Sequence, residues 1–559
     1  MYIFFKAKFT LMKSLQNIYF SILIIFTYSC QNSDNGNKQI TNSEVAFLPV
    51  YSQSEQAIEL YRKAENNIFE LEFPEARKNY LAALELDPNF PMVKRNIREK
   101  DLDLKKTYIE SANKYVKSNP NIIFEAFMFK LDSILKSGNW FESRETRAIL
   151  SDQLIQEFPN NFEAYLISGN YRSFKYDRPL ESKNTSIEHF YKAIELAPNN
   201  PKAYKSLMEY KYIDQLDILD LKSNTDKYNE FDNELSAIVE KFPDSPRILS
   251  TASKLYSNAY NLKDEDRREK AINLGKQAIE VASKKKSSSL NLYYRSLAGV
   301  YSNCGLISES EQTLNLALDN NVDDSQLINT YFDLFALDIY NGKFLEAVKS
   351  IEEFKSSMGG FGFSTEDVLK CKVGLEFYNS VIYAHANQKK RTKESLIKFK
   401  RVSGELFNFY GFDKNDPDLN KKINQLPDDR DVFSGILWKV GLTPGWKNFV
   451  ELLLNTVVGD FETAERLQIK NKEKYGNRNN VVDAILSLLK GDVNKSLELF
   501  EKEGGFFAYF SFFRGQALLN AGYKDKAKAE LEKAMAMPPL ENFWNDIVIV
   551  KSRNLHSEL

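Results

Sequence analysis

The chain has 559 residues, with 75 Lys and Arg against 77 Asp and Glu, a net charge of −2. That balance offers no global basic face for nucleic-acid binding. With only 16 Pro and 23 Gly, neither disorder nor a turn-rich all-β fold is expected. Three Cys and three His leave almost nothing from which to build a disulfide framework or a Cys/His metal centre, so no cofactor and no metal site are expected.

The first segment, residues 12–30, reads MKSLQNIYFSILIIFTYSC. Lys13 precedes an apolar run from Ile18 to Phe26, interrupted only by Ser21. The run is shorter than the roughly 20 residues a membrane-spanning helix needs, so it reads as a secretory signal peptide covering residues 1–29. Met12 is a better start than Met1, and Met1–Leu11 lies upstream of it. Cys30 directly after the small residue Ser29 resembles a bacterial lipoprotein signal. In that family the Cys is lipidated and becomes the mature N-terminus, with Leu common three residues before it, where this chain has Thr27. The polar stretch over residues 30–50 is expected to be a flexible tether.

From residue 51 onward one pattern recurs. The segment ELYRKAENNIFELEFPEARKNYLAALELDPN places Leu60, Ala64, Phe73, Ala76, Tyr80, Ala83 and Pro88 at fixed spacing. Phe190, Ala193 and Pro198 repeat its second half, and Tyr294, Leu297, Ala298, Tyr301, Gly305, Leu314 and Ala317 repeat the whole. Turn and second-helix starts align at Gly342, Gly459 and Gly491. The last copy carries Gly515, Leu518, Gly522, Ala527, Leu531, Ala534 and Pro539. Small residues at Gly515, Ala527 and Ala534 allow two helices to approach, Gly522 permits the turn, and Pro539 ends the second helix. The turns at Gly459, Gly491 and Gly522 are 32 and 31 residues apart. This spacing resembles the tetratricopeptide repeat (TPR), a helix–turn–helix unit of 34 residues. About ten copies predict an all-α fold, a right-handed superhelical array of helix pairs, with blocks at 51–355 and 445–559. Residues 356–444 fit the pattern poorly and are expected to be an irregular helical section or hinge.

Within these blocks several residues invite a functional reading. In the TPR family the first helix of each pair lines the concave groove through its second, fifth, ninth, twelfth and thirteenth positions. Carried onto the unit at Asn291 these are Leu292, Arg295, Gly299, Ser302 and Asn303; on the last unit they are Tyr509, Phe512, Gln516, Leu519 and Asn520. The resemblance therefore nominates Arg295, Asn303, Tyr509, Phe512, Gln516 and Asn520 as partner-binding residues. Gly299 breaks the Lys-Asn-Asn set with which one known groove type clamps a carboxylate terminus, so that mode is not expected. The run FFAYFSFF at 506–513 can serve either as core or as an apolar groove. Trp438 and Trp446 are expected in the core, as are free thiols at Cys304 and Cys371. Lys284, Lys285 and Lys286, followed by three Ser, read as a solvated loop.

The sequence holds no catalytic motif: no G-x-S-x-G, no phosphate-binding G-x-x-x-x-G-K-[ST], no H-E-x-x-H. His189 lies in a repeat helix and His556 at the end of the chain, so His385 is the one candidate for chemistry. No enzyme is expected. The expected function is a lipid-anchored protein of the cell envelope, facing outer membrane or periplasm, that acts as a protein–protein interaction scaffold and binds a peptide or helix of a partner. The alternative resembles the lipoprotein partners of outer-membrane glycan transporters. Protein partners and the membrane are expected, nucleic acid is not.

Overall fold

The computed structural model describes residues 47–559 apart from 98, 100–101, 136–139, 173–179, 213–220, 223, 260–264, 322–323, 427–437, 476–479, 503–507 and 537–542. Cys30 and the signal segment lie outside the described residues. The described residues form one unit. Among the described residues there are 27 α-helices and no strand. None is long and apolar enough to cross a membrane.

The helices pair in chain order. The first pairs are α1 (Glu55–Phe69) with α2 (Phe73–Leu86), α3 (Pro91–Asn96) with α4 (Leu102–Ser118), and α5 (Ile123–Leu135) with α6 (Trp140–Glu157). They continue as α7 (Phe162–Arg172) with α8 (Leu180–Leu196), α9 (Pro201–Lys211) with α10 (Thr225–Lys241), and α11 (Pro246–Asn258) with α12 (Glu265–Lys284). Next come α13 (Leu290–Asn303) with α14 (Ile307–Asp319), and α15 (Asp324–Tyr340) with α16 (Phe344–Ser357). The section that fits the repeat poorly in sequence holds the longest hairpin, α17 (Thr365–His385) with α18 (Lys389–Phe409), followed by the short α19 (Leu419–Gln425) and α20 (Lys439–Leu442). The last pairs are α21 (Pro444–Val457) with α22 (Phe461–Tyr475), α23 (Asn480–Leu489) with α24 (Val493–Lys502), and α25 (Ala508–Asn520) with α26 (Lys524–Met535); α27 (Phe543–Ser557) ends the chain. The chain is thus a TPR-like α-solenoid.

The local chemistry explains the pairing. Between pairs, Pro at the first helical turn of α3, α9, α11 and α21 presets the backbone where its missing N–H costs nothing. Asn200 and Ser245 cap α9 and α11 with their side chains. Within pairs, the turn residue takes a left-handed conformation, supplied by Gly305, Gly342, Gly459, Gly491 and Gly522. The same place is taken by Asn387 between α17 and α18, and by Leu71 between α1 and α2. Close packing follows small residues: a Cβ on Gly515 would sit 3.0 Å from Leu531, across from α26.

Two long-range closures shape the solenoid. The α1–α2 turn meets the α12–α13 loop more than 200 residues later. The Glu72 carboxylate accepts hydrogen bonds from Ser288 N at 2.9 Å, Ser288 Oγ at 2.6 Å and Ser287 Oγ. Tyr293 Oη donates to the Glu70 carbonyl at 3.1 Å, and Ser289 Oγ donates to that of Leu71. The loop after α12 is therefore a docking element at Ser287–Ser289 rather than only a solvated one. At the other end, α27 packs on α15, α17, α25 and α26, returning the last pair to the middle of the chain. Cys304 and Cys371 are buried free thiols, and Trp438 is buried, whereas Trp446 is 57% exposed.

Candidate functional site: the charged inner face of the first turn

The first helices of successive pairs share one face. Its residues come from α1, α5, α7, α9, α11, α13 and α15. Lys202 on α9 lies within electrostatic reach of Glu65 and Arg62 on α1 and of Glu163 on α7. Arg62 pairs with Glu163 at 3.2 Å, and Arg295 on α13 pairs with Asp333 on α15 at 2.6 Å. Lys205 and Glu209 pair at 2.7 Å within α9, beside Arg247 and Lys254 of α11.

One part of the face is already occupied by the chain itself. Leu48 N donates to Glu163 Oε2 at 2.7 Å, and Tyr51 N donates to Glu125 Oε1 at 2.6 Å. Ser52 Oγ and Gln53 N donate to the Asp87 carboxylate at 2.6 and 3.0 Å. Leu48 and Val50 are buried, and Phe47 stacks edge-on against Phe162. Residues 47–50, assigned to the tether from sequence, are instead laid across α5 and α7.

The next part of the face interleaves cations and carboxylates. Lys205, Arg247 and Lys254 lie around Glu209, Lys202 faces Glu65 and Glu163, and Lys254 also lies within electrostatic reach of Asp333. Neither Lys202 nor Arg247 has an ion-pair partner among the described residues. Glu70, at the end of α1, lies within electrostatic reach of Arg247, but burial raises its carboxyl and Ser245 Oγ donates to its Oε1 at 3.0 Å. Burial pushes the Lys205 ammonium down, Arg247 and Lys254 push the same way, and Glu209 opposes them. Burial likewise depresses Lys202, against the pull of Glu65 and Glu163. Burial alone would raise Glu209, yet Lys205, Arg247 and Lys254 together hold it below the usual carboxylate range.

The residues nominated from sequence fare differently. Arg295 is half-buried in its pair with Asp333. Asn303 Nδ2 donates to Asn258 Oδ1 at 2.6 Å and to Ser257 Oγ at 3.2 Å. Both therefore bond neighbouring repeats to one another. Tyr509 and Phe512 are core residues, 5% and 4% exposed, and are corrected from groove to core: α27 covers the side of α25 that the groove reading left open. Gln516 is half-exposed and Asn520 exposed. The charged set on α9 and α11 was missed in the sequence. Counting from Pro201 and Pro246 as first helical positions, the same groove offsets fall on Lys202, Lys205, Glu209, Arg247 and Lys254.

His385 forms no catalytic constellation. Its Nε2 lies 3.0 Å from Tyr509 Oη, its Nδ1 is buried without a hydrogen-bond partner, and burial with nearby Lys551 holds it well below the usual His range. Among the described residues no group of three or more His, Cys, Asp or Glu could hold a metal ion.

No protein-family model matches the chain and no curated protein matches its sequence. Similar solved structures include the human IFIT1 dimer with PPP-AAAA, at 13% identity and TM-score 0.33, covering 82% of this chain and 95% of that one. Yeast Tom70 is similar at 14% identity and TM-score 0.23, covering 90% and 96%. Likeness at this level carries no functional argument.

Proposed function

We propose that this TPR-like helical-repeat protein is a binding scaffold for partner proteins, exported and held at a membrane of the cell envelope by lipid on Cys30. It takes an extended segment of the partner on the inner face of its first turn. One observation carries the reading: the chain's own residues 48–51 cross that face with backbone amides bonded to Glu163 and Glu125. A row of carboxylates accepting main-chain N–H groups recognises a peptide backbone irrespective of its side chains. The anchor reading rests on the signal-like segment ending in Ser29-Cys30; lipoproteins with more than one acyl chain attach stably.

The test is site-specific photocrosslinking in intact cells. A photoreactive residue at Lys254, on the inner face, is expected to yield a discrete adduct. One at Ile397, which is 68% exposed on α18, is expected to yield none. Equal labelling from both positions would refute inner-face binding. Cys30→Ala is expected to release the protein from the membrane fraction; unchanged retention would refute the anchor.

A further inference from the structure

We propose that the outward face of α18 is a contact surface for a membrane bearing anionic lipid headgroups, with its cations at the phosphates and Ile397 at the edge of the acyl chains. The proposal rests on the anchor reading, which brings the chain to a membrane, and adds the side by which the solenoid meets it. α18 carries seven cations against two carboxylates, Glu394 and Glu405, and all nine are exposed. Leu396, Phe399, Val402 and Leu406 hold its opposite face in the core. Two carboxylates reach it from outside the helix. Asp460 pairs with Lys393 at 2.5 Å and Lys389 at 3.8 Å, and Glu451 of α21 pairs with Lys400. Arg401 meets Glu405 at 3.7 Å, and both stay solvated. Lys390 and Lys398 form no ion pair among the described residues. Arg391 lies 5.7 Å over the ring of Tyr383, which Glu352 of α16 also reaches. The cations thus exceed the carboxylates that neighbouring elements bring to them. Lys447 of α21, within electrostatic reach of Lys400 and Lys414, extends the positive surface past Glu451 to Trp446, which is exposed.

The centre of this face selects a lipid surface over a nucleic acid. Lys393 and Glu394 precede Ile397 by one helical turn, and Lys400 and Arg401 follow it by one. At 68% Ile397 is the most exposed large hydrophobic side chain among the described residues. A nucleic acid would satisfy the cations, but an aliphatic side chain has no π-face on which to stack a base. A membrane takes both at once: ammonium and guanidinium groups at the headgroups, and an apolar side chain at the acyl boundary below them. α18 is the second helix of its pair, so this contact does not compete with the face shared by the first helices. Lipid on this side also agrees with the absence of a protein adduct expected at Ile397.

The experiment places an environment-sensitive fluorescent residue at Ile397 in the full chain. The protein is mixed with vesicles of phosphatidylcholine alone or of phosphatidylcholine with phosphatidylglycerol. The expected result is a blue shift with the anionic vesicles, fading as salt rises, and none with the neutral ones. The same probe at Leu316, 46% exposed on α14, is expected to stay unshifted. The triple variant Lys390→Gln/Lys398→Gln/Arg401→Gln is expected to weaken the response about tenfold or more, since each cation at an anionic surface contributes about fivefold. A control Lys349→Gln, on an exposed lysine of α16, is expected to leave it unchanged. The three substituted side chains are exposed, so the melting temperature should not change; a structural role for them would lower it. The inference is overturned if anionic vesicles leave the probe unshifted, if neutral vesicles shift it equally, or if the triple variant responds like the parent. Displacement of the vesicles from the probe by a single-stranded oligonucleotide or a Glu-Gly peptide would overturn it as well. Flotation separates it from the anchor reading. A chain that floats with both vesicle types while the probe stays unshifted keeps the anchor and loses this inference. A shift that persists in Cys30→Ala, in cells where that variant stays in the membrane fraction, keeps this inference and removes the anchor.

Discussion

Removing the Glu72 carboxylate should open the first turn. In the structure that single group accepts bonds from Ser287 Oγ, Ser288 N and Ser288 Oγ, tying α2 to the loop before α13. A hydrogen bond to a charged group contributes roughly 1.5–3 kcal/mol, but three that converge on one half-exposed carboxylate do not add, and water replaces part of each. We therefore expect Glu72→Ala to cost about 2–3 kcal/mol at this contact. The contacts through Glu70 and Leu71 remain to hold the elements near one another. Solenoid stability is close to a sum over neighbouring repeats, so the loss should be local rather than a global unfolding. Native-state hydrogen exchange is the assay. Amides of Ser288 and the start of α13 should lose roughly 30- to 150-fold protection, the equivalent of that energy, while those of α17 and α18 stay unchanged. Glu72→Gln keeps one acceptor oxygen and should lie between the two. Unchanged protection at Ser288 in the Ala variant would refute the idea that this carboxylate closes the turn.

Other expectations concern individual positions. Gly522→Ala should cost about 1–2 kcal/mol although the space is open, because its φ is +84; Gly404→Ala, inside α18 with nothing within 4 Å, should gain up to about 1 kcal/mol. Chemical denaturation of the pair checks both signs. Gly169→Ala should destabilise by about 1–3 kcal/mol, since its Cβ would lie 2.5 Å from Phe190 Cε1, and that buried ring is stacked on Tyr210 and cannot retreat. A melting temperature equal to that of the parent would contradict this. His385 is held neutral in the fold by burial and Lys551, so protons bind the unfolded chain preferentially. Stability should therefore be full above the unfolded pKa of about 6.5 and fall as pH drops below it, by up to about 1.4 kcal/mol per unit. His189, depressed mainly by burial, acts in the same direction, so melts at pH 7 and pH 5 must compare the parent with His385→Gln. An equal loss in both proteins would exclude His385 as the source.

Features set by neighbours in the chain were legible in the amino-acid order alone. Gly342, Gly459, Gly491 and Gly522 marked turns because a left-handed residue favours glycine whatever surrounds it. Ala83 and Pro88, or Ala193 and Pro198, marked the end of one helix and the step to the next because both effects act within one or two helical turns. The same rules fail where tertiary contacts replace the local signal. Leu71 occupies a glycine position, and its turn is docked on the α12–α13 loop through the carbonyls of Glu70 and Leu71. Residues 365–409 lack the repeat's spacing yet form the longest helical hairpin, held by a continuous apolar core around Val373, Phe377, Phe399 and Leu406.

The candidate face shows the same division. Helical periodicity says which residues share a side of a helix, but not whether another element covers that side. Tyr509 and Phe512 sit at groove offsets and are buried because α27 returns to pack on α25. Lys202, Lys205 and Arg247 sit at the same offsets on α9 and α11 and stay half-buried beside carboxylates of their own and neighbouring repeats. The amino-acid order determined the helix pairs, their turns and the frame of each first helix, because those depend on spacings of a few residues. Closure of the first turn through Glu72 and Ser288, the covering of α25, and the gathering of Lys205, Arg247 and Lys254 around Glu209 were decided only by tertiary structure. They depend on the small rotation between adjacent pairs, summed over many repeats, which no local pattern encodes.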